Sequence, residues 1–412
     1  MIDSIKKIIK KNKNVEKVCR EINNKVSFNS NIGEITPLCA RKSEMSEKRL
    51  NLLVPSINQE HIFGGISTAI KFYEQLADSL GCKRRIITTD ASPSYDDMIH
   101  FKNYSLVNAN EDEKKDYQVV VFNDRYNKTI PIGENDIFMS TAWWTAYAAH
   151  NLIKWQSEEY KNEVKKSIYF IQDFEPGFYA WSSRYALADS TYRSELPQIA
   201  IFNTKLLKEY FNINNYKFCE EYSFEPTLNE GLKNILLTFK TFKKKKQILI
   251  YGRPSVQRNA FELIAESLRL WVWKQPDARE WRIYSVGEKH PEVNLGNGIK
   301  IESLGKLTLE EYANLMAESY VGISLMISPH PSYPPLEMST FGMQVITNSY
   351  ANKDISNFND NIISLNSLSP DIITNELIGI VGKYKEAVDN CKFNENYVEN
   401  IQAFSFIKDI KI

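Results

Sequence analysis

Short apolar runs alternate along this chain with longer stretches whose apolar residues recur every three or four positions. Runs of strand length are LNLLVPS from Leu50, RRIITT from Arg84, YQVVVFN from Tyr117, DIFMST from Asp136, IYFIQ from Ile168 and QIAIFN from Gln198. A second series holds QILIYG from Gln247, WRIYSVGE from Trp281, GISLMI from Gly322, MQVIT from Met343 and NIISL from Asn361. Helical periodicity fills the gaps. Ile70, Phe72, Tyr73 and Leu76 give one such segment its apolar faces, and Asn259 opens another. Thr308 with Glu310 and Glu311 is a helix-start signal. The stretch 322–346 shows the unit in miniature: an apolar run, the turn SPHPSYPP, LEMSTFG as one or two helical turns, then MQVIT. Pro334 and Pro335 suit a first helical turn, where a missing N–H costs little. Strand, turn and helix in alternation predict an α/β chain with parallel sheets.

Composition narrows the picture. A chain of 412 residues can hold two or three domains. Hydrophobic residues at 43% and charged residues at 25% are ordinary for a globular protein. Basic and acidic residues balance at 51 each, so nucleic acid is not an expected bulk partner. Five scattered cysteines lack metal-ligand spacing and predict no disulfide framework, which fits a reducing cytoplasm. No apolar run has the length of a membrane span. IKKIIKKNKNVEKVCREI, from Ile5, reads as a basic amphipathic helix that either rests on an anionic membrane surface or docks on its own domain. CARKSEMSEKR, from Cys39, reads as a polar linker. The run Lys243 to Lys246 reads as solvated and as the mark of a domain boundary.

Candidate chemistry sits at predicted strand ends, where open α/β sheets bind ligands. Gly64 and Gly65 precede a helix; they form either a tight turn or a loop whose N–H groups approach a phosphate. Trp143, Trp144 and Tyr147 follow a strand end, as an aromatic floor for a sugar or as packing against the sheet. Asp173 and Glu175 follow IYFIQ, with Pro176 and Gly177 enforcing a turn. Paired carboxylates there suit acid/base work, or Asp173 caps a helix. Arg253 leaves a strand end and Arg258 lies five residues on, so both can converge on one anion unless they are ordinary surface arginines. Gly287 ends another strand, and Leu304-Gly305-Lys306-Leu307 precedes the Thr308 helix start. Ser332 and Tyr333 lie in the proline-rich turn, and Glu337 sits one helical turn beyond it. No DxD motif, HExxH motif or clustered His/Cys site occurs, so no metal or other cofactor is expected.

The segments around Gly64, Asp173, Arg253 and Glu337 resemble, in order and spacing, the retaining two-domain enzymes of glycosyltransferase family 4. The resemblance covers about residues 50 to 390. It implies the GT-B architecture: two Rossmann-like domains facing across a cleft. It divides the chain into an N-terminal helical extension (1–48), an acceptor domain (49–240), a donor domain (241–392) and a last helix (393–412) crossing back to the first domain. Arg253 and Arg258 stand in the family's Gly-Arg…Lys-Gly motif, with Arg258 in the lysine's place, and would hold a donor diphosphate. Glu337 matches the second of two spaced glutamates and would bind the ribose; the first falls on Pro329. Gly64, Gly65, Gly287, Lys306, Leu307, Ser332 and Tyr333 would complete the donor site. Trp143, Trp144, Asp173 and Glu175 would line the acceptor side, with Asp173 also a candidate for the catalytic centre.

HIFGGISTA, FIQDFEPGFYAW and YPPLEMSTFG are most similar to bacterial rhamnosyltransferases that build cell-surface rhamnan or S-layer glycans from dTDP-β-L-rhamnose. That similarity implies metal-independent transfer of rhamnose to a lipid-linked rhamnan at the inner face of the plasma membrane. A different nucleoside-diphosphate hexose donor, a nucleotide-sugar epimerase and a non-catalytic glycan-binding subunit are the competing readings.

Overall fold

The computed structural model describes residues 31–58, 65–389, 393–399 and 404–412. The basic segment from Ile5 lies outside the described residues. Two separate sheets dominate. The first has eight strands: β1 (Arg49–Val54), β2 (Lys83–Thr88), β3 (Ser105–Val107), β4 (Tyr117–Val121), β5 (Asp136–Ser140), β6 (Ser167–Ile171), β7 (Gln198–Asn203) and β8 (Glu220–Phe224). Their order is β8-β7-β6-β5-β1-β2-β4-β3, every pair parallel. The second has seven: β9 (Lys245–Gly252), β10 (Arg282–Gly287), β11 (Val293–Gly296), β12 (Ile299–Gly305), β13 (Ser319–Ile323), β14 (Gln344–Asn348) and β15 (Ile362–Leu365). Their order is β11-β12-β10-β9-β13-β14-β15, with only β11 antiparallel to its neighbour.

Strand alternation explains how one run serves two cores. On β1, Leu50, Leu52 and Val54 face one apolar cluster and Leu53 faces another. On β9, Ile248 and Ile250 face one and Leu249 the other. Helix α1 (Gly65–Leu80) covers the first sheet through Phe72, Tyr73 and Leu76, while α2 (Trp143–Tyr160) covers the opposite face. An aromatic cluster of Tyr169, Tyr192, Phe202, Phe211 and Tyr216 binds α3 (Ser183–Tyr192) and α4 (Lys205–Ile213) to the same sheet. On the second sheet, α6 (Phe261–Lys274) and α9 (Pro370–Val381) lie on one face. Helices α5 (Glu230–Leu236), α7 (Leu309–Glu318) and α8 (Pro334–Thr340) lie on the other.

Several details depart from the sequence reading. Residues Cys39–Lys42, expected in a linker, form a strand pairing with Thr129–Ile132, because Arg41 bonds the carbonyls of Ala109 and Thr129. Lys244 is buried rather than solvated: it points inward and donates to the Met316 and Phe341 carbonyls. Residues before the lysine run already belong to the second core, through Leu228, Leu232 and Leu236. The strand expected over 322–327 ends at Ile323, because Met326 N–H turns to Asn348 Oδ1 and Ile327 N–H to the Arg258 carbonyl. At the C-terminus, a short helix, Glu395–Glu399, places Tyr397 and Val398 in the second core. A 3-10 turn, Ser405–Asp409, then packs on the first, with Phe404, Ile407 and Ile410 beside Phe72, Phe170 and Phe224.

Candidate active site

The strand ends of the two sheets meet around a cavity of about 720 Å³. The first domain contributes Pro55 and Ser56 after β1, Ile66 at the start of α1, and Asp90 and Ala91 after β2. The second supplies most of the wall: Tyr251, Arg253, Gly287, Lys306, Tyr333 and Glu337 among others. This is the crevice outside the carboxyl ends of parallel strands, beside the point where strand order reverses. In the second sheet β9 lies at that reversal, between β10 and β13.

Each wall residue is placed by a local constraint. Gly252 at the end of β9 has no room for a side chain: a Cβ would stand 2.1 Å from Ser285 Oγ. The chain therefore leaves the sheet at Arg253. Gly287 ends β10 with φ +111, and a Cβ there would meet the Tyr251 ring and Arg253 Cγ. Thr308 and Glu311 form a reciprocal cap on α7, which fixes the loop carrying Lys306 and Leu307. Pro334 and Pro335 open α8, and Glu337 follows in its first turn. Glu337 is half-buried on the cavity wall; burial pushes its carboxyl up to about 7, against the opposing effect of the Tyr312 hydroxyl. Tyr333 accepts a bond from Asn203 Nδ2 at 2.7 Å across the domain boundary.

Gly64 lies outside the described residues. Gly65 lies against the end of the Gln172 side chain, just after β6: a Cβ there would fall 1.3 Å from Gln172 Oε1 and would displace that amide. Asp173 follows directly. Its Oδ1 accepts from Phe174 N–H and from the Ser328 hydroxyl of the second domain. Its Oδ2 lies 3.5 Å from Arg258 Nε. Arg258 also stacks on Phe178, 4.0 Å from guanidinium carbon to ring centroid. Arg258 thus turns away from the cavity that Arg253 lines, toward a second one, although the two guanidinium groups remain close enough for Arg253 to oppose the charge on Arg258.

Three residues expected on the site surface sit elsewhere. Trp143 is 0% exposed and donates from Nε1 to Tyr179 Oη, so it is core rather than a sugar platform. Glu175 is 5% exposed; it accepts from Trp143 N–H, at the start of α2, and from the Tyr169 hydroxyl, and burial pushes its carboxyl up to about 8. Ser332 is buried behind Tyr333 in a left-handed turn, φ +69, with its N–H on His330 Nδ1. Trp144 is partly exposed and donates to Asp90 Oδ1 at 3.1 Å, near the cavity rim.

Sequence reasoning missed other members. Tyr251 and Tyr312 line the cavity, and Tyr251 was visible only as the last aromatic of a strand. His330 and Lys353 are buried near Asp173, and burial pulls their pKa values down to about 4 and about 7. The bond from Ser332 N–H to His330 Nδ1 puts the imidazole proton on Nε2, which has no protein partner. A histidine between two prolines was the available signal. Among the described residues no group of three or more His, Cys, Asp or Glu side chains could hold a metal ion, and no helix is long and apolar enough to cross a membrane.

Two family domains match this chain: "WsaF, N-terminal domain" over residues 49–205 and "WsaF, C-terminal domain" over residues 246–378. The O-antigen biosynthesis protein RfbC of Myxococcus xanthus is 33% identical over 218 residues. That match covers 52% of this chain and only 15% of the relative's length. Sucrose-phosphate synthase from Thermosynechococcus elongatus has the same fold, with TM-score 0.51, 11% identity, and 81% and 90% of the two chains covered. An α,α-trehalose-phosphate synthase (UDP-forming) from Burkholderia vietnamiensis aligns with TM-score 0.50, 8% identity, and 83% and 92% coverage. At such identities these two structures speak for the GT-B fold alone.

Proposed function

The chain belongs to the WsaF family of GT-B glycosyltransferases, and from that premise we propose that it moves a rhamnose from dTDP-β-L-rhamnose to a hydroxyl of a growing rhamnan, with retention of anomeric configuration. The observation that carries this reading is the interdomain cavity whose second-domain wall gathers Arg253, Lys306 and the half-buried Glu337. In the proposed reaction the bond from sugar C1 to the diphosphate oxygen breaks as the bond from C1 to the acceptor oxygen forms. The acceptor's proton passes to the leaving phosphate oxygen on the same face of the sugar. Negative charge grows on the diphosphate during that step. Arg253 and Lys306 stabilise it more in the transition state than in the ground state. Glu337 accepts a hydrogen bond from the 3′-hydroxyl of the deoxyribose, and the loop at Lys306 and Leu307 reads the base.

Two cationic side chains, Arg253 and Lys306, meet the diphosphate charge, and on this reading turnover proceeds without a divalent metal. Rhamnose is supported by Pro329, which stands where the family's first glutamate would bind a sugar hydroxyl; a 6-deoxy sugar has one hydroxyl fewer. The acceptor is a lipid-linked glycan at the cytoplasmic face of the membrane, a reading supported by the lysine-rich segment from Ile5.

The test is a thermal-shift titration with dTDP, UDP, GDP and ADP, with magnesium and with EDTA. Selective stabilisation by dTDP in EDTA is expected, followed by transfer from dTDP-rhamnose to a rhamnose acceptor. A preference for UDP or GDP removes rhamnose as the donor. No shift with any nucleotide removes the cavity as the donor site.

A further inference from the structure

A second cavity, of about 740 Å³, lies between the domains on the other side of Arg258. One wall is the first-domain segment from Gly177 to Arg184, and the other is the turn Ser255 to Arg258 with Ile327. Arg258 joins this groove to the candidate centre through its contact with Asp173.

The two charged side chains in the groove's lining each have a carboxylate beside them. Arg258 pairs with Asp173, and Arg184 forms a two-pronged ion pair with Glu34. What remains is Ser182, Ser255, Gln257 and the rings of Phe178 and Tyr179. Hydroxyls, an amide and aromatic rings, with both arginines already facing carboxylates, suit a neutral, hydroxyl-rich occupant.

Trp181 is 97% exposed, between Ala180 and Ser182, which both line the groove. An indole so exposed contributes almost nothing to packing in the folded chain. The residues on either side of it are tied down. Tyr179 Oη accepts from the buried Trp143 Nε1 at 2.9 Å. Ser182 caps α3 by accepting from Tyr185 N–H, and Arg184 is tied to Glu34. A projecting aromatic face, flanked in sequence by two residues of a groove lined with hydroxyls and an amide, matches a pyranose ring, whose C–H face packs on the ring while its hydroxyls reach polar groups.

We infer that this groove is the acceptor subsite, that it takes an uncharged oligosaccharide, and that Trp181 is its stacking platform. The inference rests on the transferase reading above for the word acceptor, but the binding it asserts does not. It moves the acceptor contact from Trp143 and Glu175, which are buried, to residues 178–184.

The experiment compares wild type, Trp181→Ala and Trp181→Phe in three measurements. Calorimetry follows binding of neutral rhamnose, glucose and mannose trisaccharides. Donor hydrolysis is followed without acceptor, and transfer is followed with varied acceptor. The expected result for Trp181→Ala is acceptor Kd and KM raised about tenfold, with donor hydrolysis and donor KM unchanged, and recovery in Trp181→Phe. Equal trisaccharide binding by wild type and Trp181→Ala overturns the inference, as does a wild type that binds none of the three. A wild type that binds trisaccharide through Trp181 yet turns over no nucleotide sugar upholds the groove and defeats the transferase reading instead.

Discussion

Arg253 and Arg258 are five residues apart and line different cavities. Arg253 lines the first beside Tyr251 and Gly287, while Arg258 is engaged by Asp173 and Phe178. Both are expected to matter to turnover, by different routes. Arg253→Ala should lower kcat about 10²–10³-fold, as loss of one oriented donor on a developing anion does, and should weaken the dTDP thermal shift. Arg258→Ala should lower kcat comparably while leaving more of that shift. Equal loss of nucleotide binding in both would show that they act as one clamp. Glu175 offers a separate test. Burial raises its carboxyl from the ordinary 4.5 to about 8, so the folded chain holds that proton more tightly than the unfolded one. The associated stability is fully present below pH 4.5 and is lost as pH rises through about 8. Glu175→Gln keeps an acceptor for Trp143 N–H without that loss. Its melting temperature relative to wild type should therefore climb by several degrees between pH 4.5 and 8.5; a difference that stays flat would mean Glu175 is charged throughout. The same residue shows what the sequence could not convey. Asp173 and Glu175 both follow β6, yet one carboxylate reaches the second domain and the other caps the start of α2. A strand end announces a site, whereas the direction of each side chain depends on a turn that the residue types alone do not determine.

Elements were more legible than their members. Apolar runs with little polar interruption located most of the strands, and Thr308 and the paired prolines located the starts of α7 and α8. Strands with weak apolar character escaped: β8 reads EEYSF and is only half-buried along most of its length. The lysine run misled because Lys244, in the break just before β9, turns inward, where two carbonyls receive its ammonium group. The C-terminal segment was expected as one crossing helix. Among the described residues it is a five-residue helix and a 3-10 turn, serving different cores. Its attachment to the first sheet is substantial, since Phe404 packs edge-on against Phe72 and Phe224 at 5.2 and 5.0 Å. Phe404→Ala should cost about 3–5 kcal/mol of first-domain stability in urea unfolding. A loss below about 1 kcal/mol would mean that the segment rests on the sheet without contributing to its core.

For the whole molecule, two sheets joined late in the chain were foreseeable from two series of strands separated by a polar stretch. The fit between them was not, because it depends on side chains far apart in sequence. Asp173 meets Ser328 and Arg258, Asn203 meets Tyr333, and Asn352 donates to the Leu206 carbonyl. These polar contacts hold the domains together around the two cavities. Replacing Asp173 and Asn203 together, by Asn and Ala, should split thermal unfolding into two calorimetric transitions, one per domain. A single transition at unchanged temperature would assign the coupling to the C-terminal return instead.

That return has a mechanical side. The chain leaves the first domain after Phe224 and comes back before Phe404, and the two passages touch: Leu228 N–H donates to the Tyr397 carbonyl at 2.9 Å. A single-stranded hinge would let one domain swivel freely over the other. Here two passages of chain join the second core to the first, and on the second core they are bonded to each other, so the domains are tethered twice and that freedom is reduced.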